Sequence, residues 1–162
     1  MNIFGEILRE VFSGNNLAIL GAALATVLPG IGSAKGVNMV ARATAGLISE
    51  DPNKYGKSML LQALPMTQGI YGMVAAFLIM ITSGIMGGTA VLTTAQGGYY
   101  LFASLPIAFG GWFSAIKQGE VAAAGISVLA KRPDAVGKAV ISASFVELYA
   151  ILALLISLLL IL

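Results

Sequence analysis

The chain has 162 residues, 58% of them hydrophobic and only 10% charged, with a mean hydropathy of +0.92. A soluble domain carries about 25% charged residues, so this composition excludes one and implies a membrane protein of a length that one compact domain fills. A formal net charge of +2 with no basic run argues against nucleic-acid binding, and the lack of cysteine and histidine excludes disulfides, thiol catalysis and most zinc sites.

The chain opens with MNIFGEILREVFSGNN, where Glu6 and Glu10 stand in place of the positive region of a signal peptide. Ile3, Phe4, Ile7, Leu8, Val11 and Phe12 follow helical spacing, which predicts a short interfacial helix over residues 1–13. Four long helices are then expected at 16–49, 53–83, 98–130 and 134–161. At about 1.5 Å per residue each exceeds the ~30 Å hydrocarbon core. They group as a first hairpin over 14–83, an extracellular connection over 84–97 and a second hairpin over 98–162.

The first helix carries Gly32 and Gly36 in GSAKG. The second carries LPMTQGIYG, with Pro65, Thr67, Gln68 and Tyr71. No charge occurs between Ser58 and Lys117, and the glycines and threonines of SGIMGGTAVLTTAQGG divide that run. The third helix has Gly111, Ala115, Gly119 and Ala123 at four-residue spacing, where small side chains let helices approach closely in lipid. The fourth contains Glu147, with eight uncharged residues before it and fifteen after it.

Arg42, Lys54, Lys57, Lys131, Arg132 and Lys138 flank the first and third connections. The positive-inside rule therefore puts those loops in the cytoplasm and both termini outside. The same two connections reveal a duplication. Pro52 to Lys57 reads PNKYGK and Pro133 to Lys138 reads PDAVGK, 81 residues apart. Further on, Tyr71 pairs with Tyr149 after a shift of three residues, and Glu147 then falls opposite Gly69.

A charge at mid-bilayer costs roughly 2.5–3.5 kcal/mol or more, so Glu147 must be protonated, paired or bound to a cation. Counted from the cytoplasmic loops, Thr67, Gln68, Gln118 and Glu147 lie at similar depth. Pro65 removes one helical N–H and loosens the carbonyl of Leu61. Together these are hard oxygen ligands with a single negative charge, suited to a small monovalent cation. Tyr71, one turn past Thr67, has a hydroxyl to donate to Glu147. Blander readings exist for each residue. The glutamines can simply bridge helices, the tyrosines can be packing residues, and Glu147 can form a salt bridge with Lys35 or Lys117. Lys117, however, has a nearer candidate in Glu120.

At these motifs the sequence resembles the proteolipid (c or K) subunit of V-type rotary ATPases, closest to the bacterial sodium-translocating branch. GSAKG, LPMTQGIYG, KQGEVAAAGI and FVELYAILALLISLLL carry the resemblance over nearly the whole chain. It implies an all-α membrane protein whose duplicated hairpin assembles into a homo-oligomeric rotor ring, with the first and third helices on the inner wall. It implies Na+ or H+ as the working ion, held by the Leu64 carbonyl with Thr67, Gln68, Gln118 and Glu147, and with Tyr71 as supporting hydrogen-bond partner. Proline geometry alone nominates Leu61; the family motif nominates Leu64. The implied partners are identical subunits, a stator subunit bearing an arginine, central-stalk subunits at the cytoplasmic loops, and lipid of a bacterial plasma membrane. There is no Gly-x-x-x-x-Gly-Lys-Ser/Thr motif, so no nucleotide is expected on this chain and ATP chemistry belongs to partners. Two other classes remain for comparison: a small four-helix proton-coupled multidrug exporter, and a structural tetraspan protein.

Overall fold

The computed structural model describes residues 2–162. A short helix, α1 (Ile3–Val11), is followed by a long one, α2 (Gly14–Glu50). After a 3₁₀ turn at Pro52–Lys54, the second span runs through α3 (Tyr55–Ala63), a 3₁₀ turn at Leu64–Met66 and α4 (Thr67–Thr82). Then come α5 (Thr94–Lys131), a 3₁₀ turn at Pro133–Ala135 and α6 (Val136–Ile161). Four of these stretches are long and apolar enough to cross a membrane: Gly14–Glu50, Pro52–Thr82, Thr94–Lys131 and Pro133–Ile161. No strand occurs among the described residues.

The helix ends follow local chemistry. Ser13 caps α2 by accepting from the Asn16 N–H, so the helix starts at Gly14, two residues before the expected 16. Thr93 and Gln96 form a reciprocal capping box, which starts α5 at Thr94 rather than 98. The helical reading of TTAQGG was thus hidden by its glycines. At the other ends a proline follows. Asp51 and Arg132 precede Pro52 and Pro133 and adopt nearly the same non-helical backbone, φ −141° and −140°. The duplicated turns therefore repeat in conformation as well as in sequence.

The helices form two layers. α2 and α5 run side by side in one; the α3–α4 span and α6 lie over them in the other. In lipid the apolar surroundings give little drive for burial, so close packing decides the arrangement. Gly36 and Gly119 meet backbone to backbone at the α2·α5 crossing. Above and below it, Ala18, Ala25, Ile79 and Ile107 fill one core cluster, and Val40, Leu61, Ile126 and Leu129 fill another. The two proline turns lie together at one end, where Lys54 Nζ donates to the Ala130 carbonyl (2.9 Å) and Lys57 Nζ to that of Pro133 (3.4 Å). At the opposite end Asn15 ties α2 to the loop before α5, donating to the Ala90 carbonyl (2.9 Å) and accepting from the Leu92 N–H (3.0 Å).

Candidate ion-binding site

Between the two layers, the residues singled out by the sequence meet. Pro65 stops the second span from running as one α-helix, and the chain turns through Leu64–Met66 in 3₁₀ form. Within that turn the Leu64 carbonyl accepts from the Thr67 N–H and also from the Thr67 hydroxyl at 3.0 Å. The Thr67 hydroxyl also lies 3.4 Å from Gln68 Oε1. Gln68 Nε2 donates to Gln118 Oε1 at 2.6 Å, bridging α4 and α5. Gln118 Nε2 donates to the Ala143 carbonyl (3.2 Å) and to Glu147 Oε2 (3.4 Å), bridging α5 and α6. Tyr71 closes the group from α4, its hydroxyl donating to Glu147 Oε1 at 2.7 Å. Leu64, Thr67, Gln68, Gln118, Glu147 and Tyr71 are thus one connected chain of hydrogen bonds across three helices.

Burial along that chain is graded. Gln68 and Gln118 are completely buried. Thr67, Tyr71 and Glu147 are partly buried, at the face between α4 and α6. The two amides are costly to bury unless paired, and each finds a partner in the other. Leu64, not Leu61, is the carbonyl in contact with the Thr67 hydroxyl. The Leu61 side chain lies within the core cluster beside Gly125.

No cationic side chain pairs with Glu147 among the described residues. Lys117 pairs with Glu120 on its own helix, at 2.9 and 3.0 Å, and Lys35 is exposed. The salt-bridge reading of Glu147 is therefore not what the fold builds. No cluster of three or more acidic, histidine or cysteine side chains occurs among the described residues. A divalent ion, which needs more anionic oxygen, has no cage here. The donor set is one carboxylate with neutral oxygens, which fits a single positive charge.

Two contributors escaped the sequence reading. Ser33 of α2 accepts from the Gly69 N–H at 2.9 Å and so fixes α4 just below the site. A side chain at Gly69 would start 3.3 Å from that hydroxyl. The Ala143 carbonyl holds the Gln118 amide. A serine next to glycine in GSAKG was a possible signal for the first; a backbone carbonyl leaves none in the sequence.

The fold and site define a multi-span helical membrane protein that holds one carboxylate among neutral hydrogen-bonding groups between two related hairpins. The chain belongs to the ATP synthase C-subunit family, whose profile matches twice, over residues 20–79 and 101–160. The two matches are 81 residues apart, the spacing of the duplicated proline turns, so the expected duplication is borne out. The chain is 52% identical over 149 residues to the V-type sodium ATPase subunit K of Enterococcus hirae, covering 92% of each protein. It is 38% identical over 144 residues to the A-type ATP synthase subunit K of Methanocaldococcus jannaschii, covering 89% of this chain and 61% of that one. The exporter reading is not favoured by these relationships.

Proposed function

We propose that this chain is the rotor-ring proteolipid of a bacterial V-type sodium ATPase, and that Glu147 carries one sodium ion per chain across the membrane. The observation that carries this reading is the hydrogen-bonded group ending on Glu147, a membrane carboxylate with neutral donors and no cationic partner. The 52% identity to a sodium ATPase subunit K supports sodium over protons as cargo.

The ion takes oxygens from the Leu64 carbonyl, Thr67, Gln68, Gln118 and Glu147. Binding requires the Gln118 amide to turn, because its Nε2 and not its Oε1 faces Glu147 in this arrangement. Tyr71 holds the other carboxylate oxygen and sets its direction. A loaded Glu147 is neutral and tolerates lipid; an emptied one is a bare charge that needs a polar channel and a positive partner on the stator. That difference biases rotation, and the membrane potential contributes about 2.3 kcal/mol per charge per 100 mV. The chain has no catalytic group of its own; ATP is hydrolysed or made by partner subunits docked through the central stalk at the basic turns. α1 lies along the outer membrane surface, its apolar face in the headgroup boundary.

Carbodiimide labelling tests this reading, because the reagent modifies protonated carboxyls in the membrane. Sodium should protect Glu147, and the concentration needed should rise as pH falls, since proton and sodium compete for one carboxylate. Labelling that sodium leaves unchanged at every pH makes the chain a proton carrier and removes the glutamines from the ligand set. In parallel, Glu147→Gln should assemble normally and lose all ion transport; transport at the wild-type rate would end the assignment of Glu147 as carrier.

A further inference from the structure

The contact between α2 and α5 leaves a matching pair of faces bare. Inside the chain, Gly21 approaches Leu101, Gly32 approaches Trp112 and Gly36 meets Gly119. The start of the first hairpin, α2, maps onto the start of the second, α5, by a shift of 81 residues. Moving the three α2 glycines forward by that shift gives Phe102, Phe113 and Lys117 on α5. Moving their α5 partners back by it gives Leu20, Ile31 and Asn38 on α2. All six are exposed in the single chain, Phe102 at 69%. The operation that carries the first hairpin onto the second, applied once more, carries the second onto a new copy. A head-to-tail contact of this kind closes into a ring when its rotation divides a full turn, and the family this chain belongs to supplies that closure.

We propose that these faces are the two halves of the copy–copy contact, in the register Phe102 on Leu20, Phe113 on Ile31 and Lys117 on Asn38 of the next copy. The proposal rests on the ring reading above and supplies its inner interface. Where the internal contact has glycine, the contact between copies has phenyl rings and a lysine. The inner wall therefore alternates close and wide helix spacings.

Charge supports the same docking. Lys35 is exposed on α2, inside the span Gly14–Glu50, and forms no ion pair among the described residues. An unpaired cation there is costly in lipid. Lys117 and Glu120 form a pair on the bare face of α5. In the proposed register Glu120 comes beside Asn38 of the next copy, one helical turn from that copy's Lys35. One carboxylate then serves two ammonium groups across the interface, and no lysine is left facing apolar surroundings.

The chain has no cysteine, so introduced cysteines report contacts directly. Chains carrying Phe113→Cys and chains carrying Ile31→Cys, with tags of different size, are co-expressed, and membranes are treated with a short bis-maleimide. The expected product is a heterodimer of the two tags. Phe113→Cys with Leu20→Cys, eleven residues out of register, should give none. Rings that stay intact by native mass spectrometry yet give no Phe113–Ile31 product overturn the register and leave the ring standing. Wild-type chains that appear only as monomers overturn both. The charge argument has its own readout, the temperature at which the ring dissociates in detergent. Lys35→Gln and Glu120→Gln should each lower it by several degrees, and the double variant no further than the worse single one. Fully additive losses would remove Lys35 from the contact.

Discussion

Glu147 is held at both oxygens by groups that carry no charge, the Tyr71 hydroxyl at 2.7 Å and the Gln118 amide at 3.4 Å. A lysine in either place would stabilise the carboxylate permanently and leave nothing for a cation to gain. Neutral donors orient it and still leave its charge to be compensated. The shorter of the two bonds, from Tyr71, directs one oxygen away from Gln118 and fixes where the other points. Tyr71→Phe removes only that hydroxyl. Hydrogen bonds to charged groups contribute about 1.5–3 kcal/mol, so sodium affinity measured by protection from carbodiimide should fall about tenfold or more. Assembly should be unchanged, because the ring of Tyr71 still packs against the core cluster. Wild-type affinity in this variant would make Tyr71 a packing residue.

At the scale of helices, the site is placed by two departures from regular structure, the 3₁₀ turn at Leu64–Met66 and the glycine crossing of α2 on α5. The crossing can be tested on its own. A methyl at Gly119 would run into the backbone of Gly36, which no rotamer change relieves. Overpacking costs about 1–3 kcal/mol where neighbours can shift, and more where they cannot. Gly119→Ala should therefore sharply lower the yield of assembled protein, while Gly46→Ala, with no atom within 4 Å of its added carbon, should leave it unchanged. Equal yields would mean that the crossing has slack. The four spans were readable because lipid leaves a backbone little choice but helix. Thr67, Gln68, Gln118 and Glu147 could be grouped by counting depth from the basic turns, since helical rise is constant. Which helix-two carbonyl joins the group was harder. A proline inside an α-helix removes the N–H that the Leu61 carbonyl would meet, whereas the chain tightens to 3₁₀ at Leu64–Met66 and the Thr67 hydroxyl donates to the Leu64 carbonyl. The start of α5 was misplaced for a similar reason: the Thr93–Gln96 capping box outweighs the two glycines after it.

For the whole molecule, the distribution of charge fixes how it should sit in the membrane. The two proline turns lie side by side, joined through Lys54 and Lys57, and gather Lys131, Arg132 and Lys138 at the same end. The opposite end has an uncharged loop from Ser83 to Thr93 and, in α1, Arg9 with Glu6 and Glu10. Basic residues in short loops stay on the cytoplasmic side during insertion, while acidic ones matter little. The turns should therefore face the cytoplasm, and both termini should lie outside. Single cysteines check this. Thr89→Cys, exposed in the uncharged loop, should react with an impermeant maleimide on intact cells. Asn53→Cys, exposed in the first proline turn, should react only after the membrane is opened. The reverse pattern would invert the molecule. The stalk contact proposed above would then have to be made by an uncharged loop, and the clustered basic residues would need another role.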